Sequence, residues 1–247
     1  RSELGRGDDE EVRLLRGEAD AHFDEIANEY DDSLPPHVVE HYLSKRVTFI
    51  RDLLPEGKVL DAGCGTGVVA SRLADDGYEV TGLDPSAGML EHLKQRDPRV
   101  ETVQGSATGL PFEDGTFDLS FCVAVMHHIA EADSVHTALG EMVRVTRPGG
   151  LVLVWDHNPR NPYWKHLMAR VPQDDGSERL IPVGEVVSGL VDGGGVILMR
   201  EQLGFVPDFV PPSLLGPTAR LERSVERIPG LRRLCAHNVV VARRRGA

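Results

Sequence analysis

The stretch Val59-Leu60-Asp61-Ala62-Gly63-Cys64-Gly65-Thr66-Gly67 constrains the fold more than any other part of this chain. Three glycines at alternate positions follow a short apolar run, Lys58 to Leu60, and precede an amphipathic run, Val68 to Ala74, so they mark a strand-to-helix turn. Glycine accepts positive φ and leaves no Cβ between backbone and ligand, while a helix start offers unpaired N–H donors. Such a turn is a ligand cradle. A second apolar run, Glu79 to Leu83, ends in Asp84, close to the offset at which a doubly wound sheet sets a carboxylate on a ribose hydroxyl.

From there strands and helices alternate. Helix Ser86 to Gln95 leads to strand Val100 to Gln104, then come strand Phe117 to Cys122 and helix Asp133 to Val145, with Arg147-Pro148-Gly149-Gly150 as a stop signal. Strand Leu151 to Trp155, helix Val183 to Val191, strand Val196 to Leu203 and strand Asn238 to Ala242 complete the pattern. This alternation predicts parallel strands with right-handed crossovers and a ligand outside their carboxyl ends, where all the motif residues fall.

Gly65 to Ala70 also fits the loose GxGxxG/A dinucleotide pattern, so glycine spacing leaves a nicotinamide cofactor open. Asp61 separates the cases. A carboxylate beside the glycine turn repels a pyrophosphate but attracts an α-ammonium or tolerates a sulfonium, which favours S-adenosylmethionine. Val59 to Gly67 resembles motif I of the class I S-adenosylmethionine-dependent methyltransferases. Leu83 to Leu90, Gly105-Ser106-Ala107 through Leu110-Pro111-Phe112 to Phe117-Asp118, and Arg147 to Gly150 resemble that family's following blocks, in its order.

The resemblance implies a Rossmann-like α/β fold: a doubly wound, seven-stranded, mostly parallel sheet whose last strand is antiparallel. It implies S-adenosyl-L-methionine as cofactor, S-adenosyl-L-homocysteine as product, and contacts from Asp61, Gly63, Cys64, Gly65, Gly67, Asp84, Pro85, Met89, Ser106, Ala107 and Val123. Ser86 is placed to cap its helix and Met89 to pack on the adenine face. The third block commonly reads Gly-Asp-Ala in the family, and Ser106 replaces the acid, which implies weaker adenine discrimination. Phe23 to Asp31, with Phe23, Ile26, Ala27 and Tyr30 on one helical face, is similar to the N-terminal cap of quinone-biosynthesis-like small-molecule methyltransferases. There a tyrosine at the place of Tyr30 closes over the cofactor; an ordinary docking helix is the bland alternative.

The expected organisation is an N-terminal helical cap over 1–54 and a cofactor-binding domain over 55–247, with insertions at about 157–183 and 205–230. Within the second insertion Arg220, Arg223 and Arg227 share a helical face. They suit a phosphate or an anionic lipid surface, but alternating Glu222 and Glu226 favour a solvated helix. Arg1 to Arg16 reads as a frayed lead-in.

Val123 to Ile129 is an apolar stretch ending in His127-His128, which in the family lies beside the cofactor's methionine moiety and the acceptor. His128 is the first candidate base, and His157, beside Asp156, the second. In either case the alternative is a histidine that only pins its turn. No metal is required, because a sulfonium's leaving group departs neutral. The expected activity is methyl transfer to a small molecule, a lipid or secondary metabolite, with oxygen slightly favoured over carbon or nitrogen. A domain that binds the cofactor without transfer and an NAD-dependent oxidoreductase are the rivals.

A net charge of −12, from 39 acidic and 27 basic residues, disfavours nucleic acid as partner. Cys64, Cys122 and Cys235 show no metal-ligand spacing. No apolar run approaches the ~18 residues of a membrane span and no signal-peptide pattern opens the chain, so the expected location is cytoplasmic, with peripheral membrane contact left open. Oligomeric state is not legible.

Overall fold

A computed structural model describes residues 23–27, 30–129, 131–171 and 176–246. Arg1 to Arg16 and most of the N-terminal lead-in lie outside the described residues. In chain order the main elements are α1 (Pro36–Leu53), β1 (Lys58–Ala62), α2 (Val68–Asp75), β2 (Glu79–Asp84), α3 (Ala87–Arg96), β3 (Glu101–Gln104), β4 (Phe117–Val123), α4 (Ala132–Val145), β5 (Thr146–His157), α5 (Val183–Asp192), β6 (Gly195–Leu203), α6 (Pro212–Arg227) and β7 (His237–Arg244).

The strands form one seven-stranded sheet in the order β3-β2-β1-β4-β5-β7-β6. Strands β1 to β5 are mutually parallel, and β7 runs antiparallel between β5 and β6. The strand order reverses between β1 and β4, which opens a crevice beyond their carboxyl ends. Buried Val, Leu and Phe on both faces of β1, β4 and β5 explain this burial: Leu60, Phe117 and Val152 pack towards α4 and α5, whereas Val59, Phe121 and Trp155 pack towards α1, α2 and α3. Runs of this kind form central parallel strands because helices cover both sides.

The alternation expected from sequence is present throughout, with two differences. Arg147-Pro148-Gly149-Gly150 ends helix α4 but is no separate turn: β5 begins at Thr146 and passes through these residues, with the β4–β5 register shifting between Phe117 and Leu119. Gly149 takes φ of 80° and a Cβ on Gly150 would lie 2.8 Å from the Asp118 carbonyl oxygen, so a bulge fits where a side chain would not. The second difference is the reach of α6, a 16-residue helix that begins at Pro212, well before the arginine face expected over 220–227. Pro211 and Pro212 sit at its start, where a missing N–H costs nothing, and only Pro217 lies inside.

Residues 23–27 and 30–31 lie across the carboxyl ends of β1 and β2. Asp24 Oδ1 accepts from the Ser86 hydroxyl at 2.6 Å and from the Gly88 N–H at 2.8 Å. Asp31 accepts from the Thr66 hydroxyl at 2.7 Å and pairs with Arg96. In the second insertion, Glu222 ties α6 to α1 through Lys45 and His41. Among the described residues no helix is long and apolar enough to cross a membrane.

Candidate functional site

The glycine turn has the conformation its spacing implies. Gly63, Gly65 and Gly67 take φ of 80°, 53° and 76°, and the Gly63 and Cys64 N–H groups both donate to the Leu83 carbonyl. The three glycines serve different ends. A Cβ on Gly63 would lie 2.5 Å from Val125 Cγ2 and one on Gly67 only 2.1 Å from Leu93 Cδ1, whereas one on Gly65 would meet nothing within 4 Å. Gly63 and Gly67 therefore allow close packing, and Gly65 leaves open space for a ligand. Asp84 braces this loop: its Oδ2 accepts from the Gly65 N–H at 2.8 Å and its Oδ1 from the Ser86 N–H at 3.0 Å. Ser86 caps α3 by accepting from the Met89 N–H, as its sequence position implied.

One cavity of about 500 Å³ extends from this turn. Tyr30, Asp61, Gly63, Cys64, Gly65, Asp84, Pro85, Met89, Ser106, Ala107 and Val123 all line it, and so do His128 and His157. Gly67 does not, because it faces Leu93 and caps α2 from behind. The Ser106 hydroxyl, standing where the family has an acid, is hydrogen-bonded to the Thr108 hydroxyl at 2.8 Å.

Two ionisable groups, Asp61 and Arg46, line the cavity near the glycine turn. Asp61 is buried, and burial, reinforced by Asp84, raises its pKa to about 8 against the pull of Arg46. Arg46 was not singled out from sequence, although it interrupts the apolar stripe of Val38, Leu43, Val47 and Ile50 on α1. Its guanidinium lines the cavity 5.9 Å from the Tyr42 ring centre, and its buried Nε has no protein partner. A buried orphan donor beside a carboxylate suits a ligand that carries both signs, such as an amino-acid zwitterion.

Another part of the lining is a column of rings. His128, His127, His157 and Trp164 follow one another at centroid spacings of 4.0, 4.0 and 3.5 Å. Ala124, in the left-handed region at φ of 57°, turns the chain from the end of β4 so that Met126–Ile129 begins a short helical turn there. Sequence adjacency suggested that Asp156 serves His157, but its partner is His127. Asp156 Oδ1 accepts from His127 Nδ1 at 2.7 Å, and from His157 only through the backbone N–H at 2.6 Å. Asp156 Oδ2 accepts from the Met126 and His127 N–H groups at 2.7 and 3.3 Å. Four donors fill its lone pairs. Burial pushes the Asp156 carboxyl up, but His127 and these donors outweigh it and hold the pKa below the usual range.

Donation from Nδ1 puts the His127 ring lone pair on Nε2, the arrangement of a general base oriented by an acid. His127, Asp156 and His157 also lie close enough for a shared metal ion. The carboxylate, its lone pairs taken by four donors, does not suit coordination of that ion. His157 is a poor proton carrier near neutrality, since burial and the neighbouring histidines lower its pKa well below 6.5. His128 ends the column, with Phe23 at right angles to its ring 5.1 Å away and the Glu178 carboxylate 3.8 Å from its Nδ1.

The family described as "Methyltransferase domain" matches residues 60–154. A demethylmenaquinone methyltransferase of Paenarthrobacter aurescens is 38% identical over 154 residues, 58% of this chain and 60% of that protein. One from Renibacterium salmoninarum is 34% identical over 174 residues, 64% of this chain and 72% of that protein. The match to the first thus spans less than two thirds of its length. In fold, a Thermotoga maritima structure described as a SAM-dependent methyltransferase, possible histamine N-methyltransferase, superposes with a TM-score of 0.69 at 20% identity, covering 92% of this chain and all of that one. The sheet order, the glycine cradle and these relatives agree: the chain belongs to the S-adenosylmethionine-dependent methyltransferases, enzymes whose cofactor is S-adenosylmethionine.

Proposed function

We propose that this chain methylates a small molecule bearing a hydroxyl on a ring, with the His127–Asp156 pair accepting the hydroxyl proton. The observation that carries this reading is that one cavity joins the glycine cradle to the imidazole wall, so cofactor and acceptor would share a single chamber. When bound, S-adenosylmethionine supplies an electrophilic methyl on a sulfonium whose leaving group departs neutral.

The chain's own residues then divide the work. Asp61 and Arg46 would hold the ammonium and carboxylate of the methionine moiety, and Asp84 the ribose. Met89 would pack on the adenine, and Tyr30 would close over the cofactor. Placement supplies most of the rate: aligning two reactants is worth roughly 7–11 kcal/mol in well-oriented systems. His127 Nε2 takes the hydroxyl proton as the oxygen becomes nucleophilic, and Asp156 stabilises the resulting imidazolium. His128 and Trp164 line the cavity and are the aromatic surfaces a flat acceptor would meet.

Oxygen is the favoured atom, because an acid-oriented histidine is needed only where a proton must leave. A deprotonated ring hydroxyl also carries electron density on the adjacent carbon. The relatives named for demethylmenaquinone therefore make carbon methylation of a quinol-like ring the second reading. Methyl transfer to a panel of phenols, catechols and quinols, with the methylated atom assigned by NMR, tests both. Asp156→Asn and His127→Asn are expected to lower kcat about 10²–10⁴-fold while leaving S-adenosylhomocysteine affinity unchanged. Undiminished turnover in both variants would remove His127 from the mechanism.

A further inference from the structure

The acids interleaved with the arginines of α6 do not face water. Glu222 is 2% exposed, with Oε2 accepting from Lys45 at 2.8 Å and His41 at 2.9 Å and Oε1 from the Phe205 N–H at 2.6 Å. Glu226 pairs with Lys45 and accepts from the Gly204 N–H at 2.7 Å. Both carboxylates thus find their partners within the fold. Arg220, Arg223 and Arg227 remain outside and exposed, none with a carboxylate within 4.0 Å among the described residues.

An apolar stripe flanks them. Leu214, Leu221 and Ile228 recur every seventh residue and are 53%, 53% and 48% exposed. The surface continues through Phe209, 71% exposed, and through Leu231 and Leu234 beside Arg233. Of the ten large apolar side chains exposed among the described residues, seven fall between 205 and 234. On a chain of net charge −12, such a concentration of unpaired arginine and apolar surface is not what a solvated helix needs.

We propose that this face docks on an anionic lipid bilayer. Charge complementarity selects the partner: arginines meet lipid phosphates while leucines and phenylalanine enter the acyl boundary. An apolar stripe with flanking cations is the pattern of an interfacial helix. The position has a consequence for the cavity. Phe209 packs edge-on against Tyr163 at 5.9 Å, and Tyr163, Pro207 and Asp208 line the cavity, so docking sets the cavity's rim against the membrane. Given the acceptor reading above, on which this clause alone rests, the acceptor would be one that partitions into lipid.

Sedimentation of the full chain with vesicles tests this. Vesicles of phosphatidylcholine with about a third phosphatidylglycerol are expected to bind the protein, vesicles of phosphatidylcholine alone to leave it in solution, and salt to release it. Each arginine near the surface contributes about fivefold, so Arg220→Gln, Arg223→Gln and Arg227→Gln together are expected to weaken partitioning about a hundredfold. Leu214→Ser with Leu221→Ser is expected to weaken it even at low salt. All of these positions are exposed, and unchanged S-adenosylhomocysteine affinity serves as the check on folding.

No binding to anionic vesicles at low salt, or binding indifferent to these substitutions, overturns the proposal. Concentration-dependent self-association without lipid, abolished by the same substitutions, also overturns it and assigns the face to a second copy. No arm depends on turnover, so failure of the acceptor reading would leave the result intact.

Discussion

Replacing Glu222 by Gln tests how the second insertion is held in place. Burial alone would raise this carboxyl's pKa, but His41, Lys45 and the Phe205 N–H outweigh burial and lower it from 4.5 to about 2. Each factor of ten in an acid constant is worth about 1.4 kcal/mol, so the ionised carboxylate contributes about 3 kcal/mol to folding. Because the folded-state pKa is depressed, this stability is fully present above about pH 4.5 and is lost as pH falls through about 2. Urea unfolding of wild type and Glu222→Gln is therefore expected to show a gap of about 3 kcal/mol at neutral pH that narrows progressively below about pH 4.5. The same carboxylate holds the N–H of Val206, a cavity-wall residue, so the variant's KM for acceptor is expected to rise while cofactor affinity stays. Equal stability at neutral pH, or a gap that does not narrow in acid, would refute the reasoning.

The cofactor turn offers a paired test. Gly67→Ala is expected to cost about 2 kcal/mol or more, from a positive φ and a Cβ 2.1 Å from Leu93, whereas Gly65→Ala is expected to cost about 1–2 kcal/mol and chiefly weaken S-adenosylhomocysteine binding. Thermal melts and titrations separate the two. With the pKa of free Asp61 raised to about 8, ligand binding that needs its ionised form is expected to tighten as pH rises towards about 8. It is also expected to release a proton, visible as a binding enthalpy that changes with the buffer's ionisation heat. Arg46→Met is expected to weaken cofactor binding with little loss of fold, since its Nε has no protein partner to leave behind. His157 and His237 are held neutral, chiefly by burial, with pKa values well below 6.5. The contribution of these two histidines to stability is therefore expected to be complete above about pH 6.5 and to fall below it by up to about 1.4 kcal/mol per pH unit for each, as read from denaturant melts of wild type against His157→Gln and His237→Gln.

Much of the fold was legible because it depends on local chemistry. Glycines at alternate positions, an acid ending the next strand and alternating strand and helix periods are one-dimensional signals that a parallel sheet repeats in space. The pairing of Asp156 with His127 was not legible by adjacency, because His157 is its sequence neighbour. It follows instead from register: β4 and β5 are parallel with Val123 opposite Trp155, so the residues just beyond those positions meet. Arg46 escaped notice because a helix with a mixed outer face does not announce which turn faces a cavity. The acids of α6 misled for a related reason. Spacing placed Glu222 and Glu226 among the arginines, but their direction depended on Lys45 and His41, far away in the chain.

The central claim is that the cradle of Asp61, Gly65 and Asp84 holds S-adenosylmethionine. Calorimetric titration of the purified, folded, ligand-free protein with S-adenosylmethionine, S-adenosylhomocysteine and NADH tests it most directly. Micromolar binding of both sulfur compounds, lost in Asp61→Ala and Asp84→Ala and absent for NADH, is the expected result. Silence with both sulfur compounds, or unchanged affinity in the two aspartate variants, would contradict it.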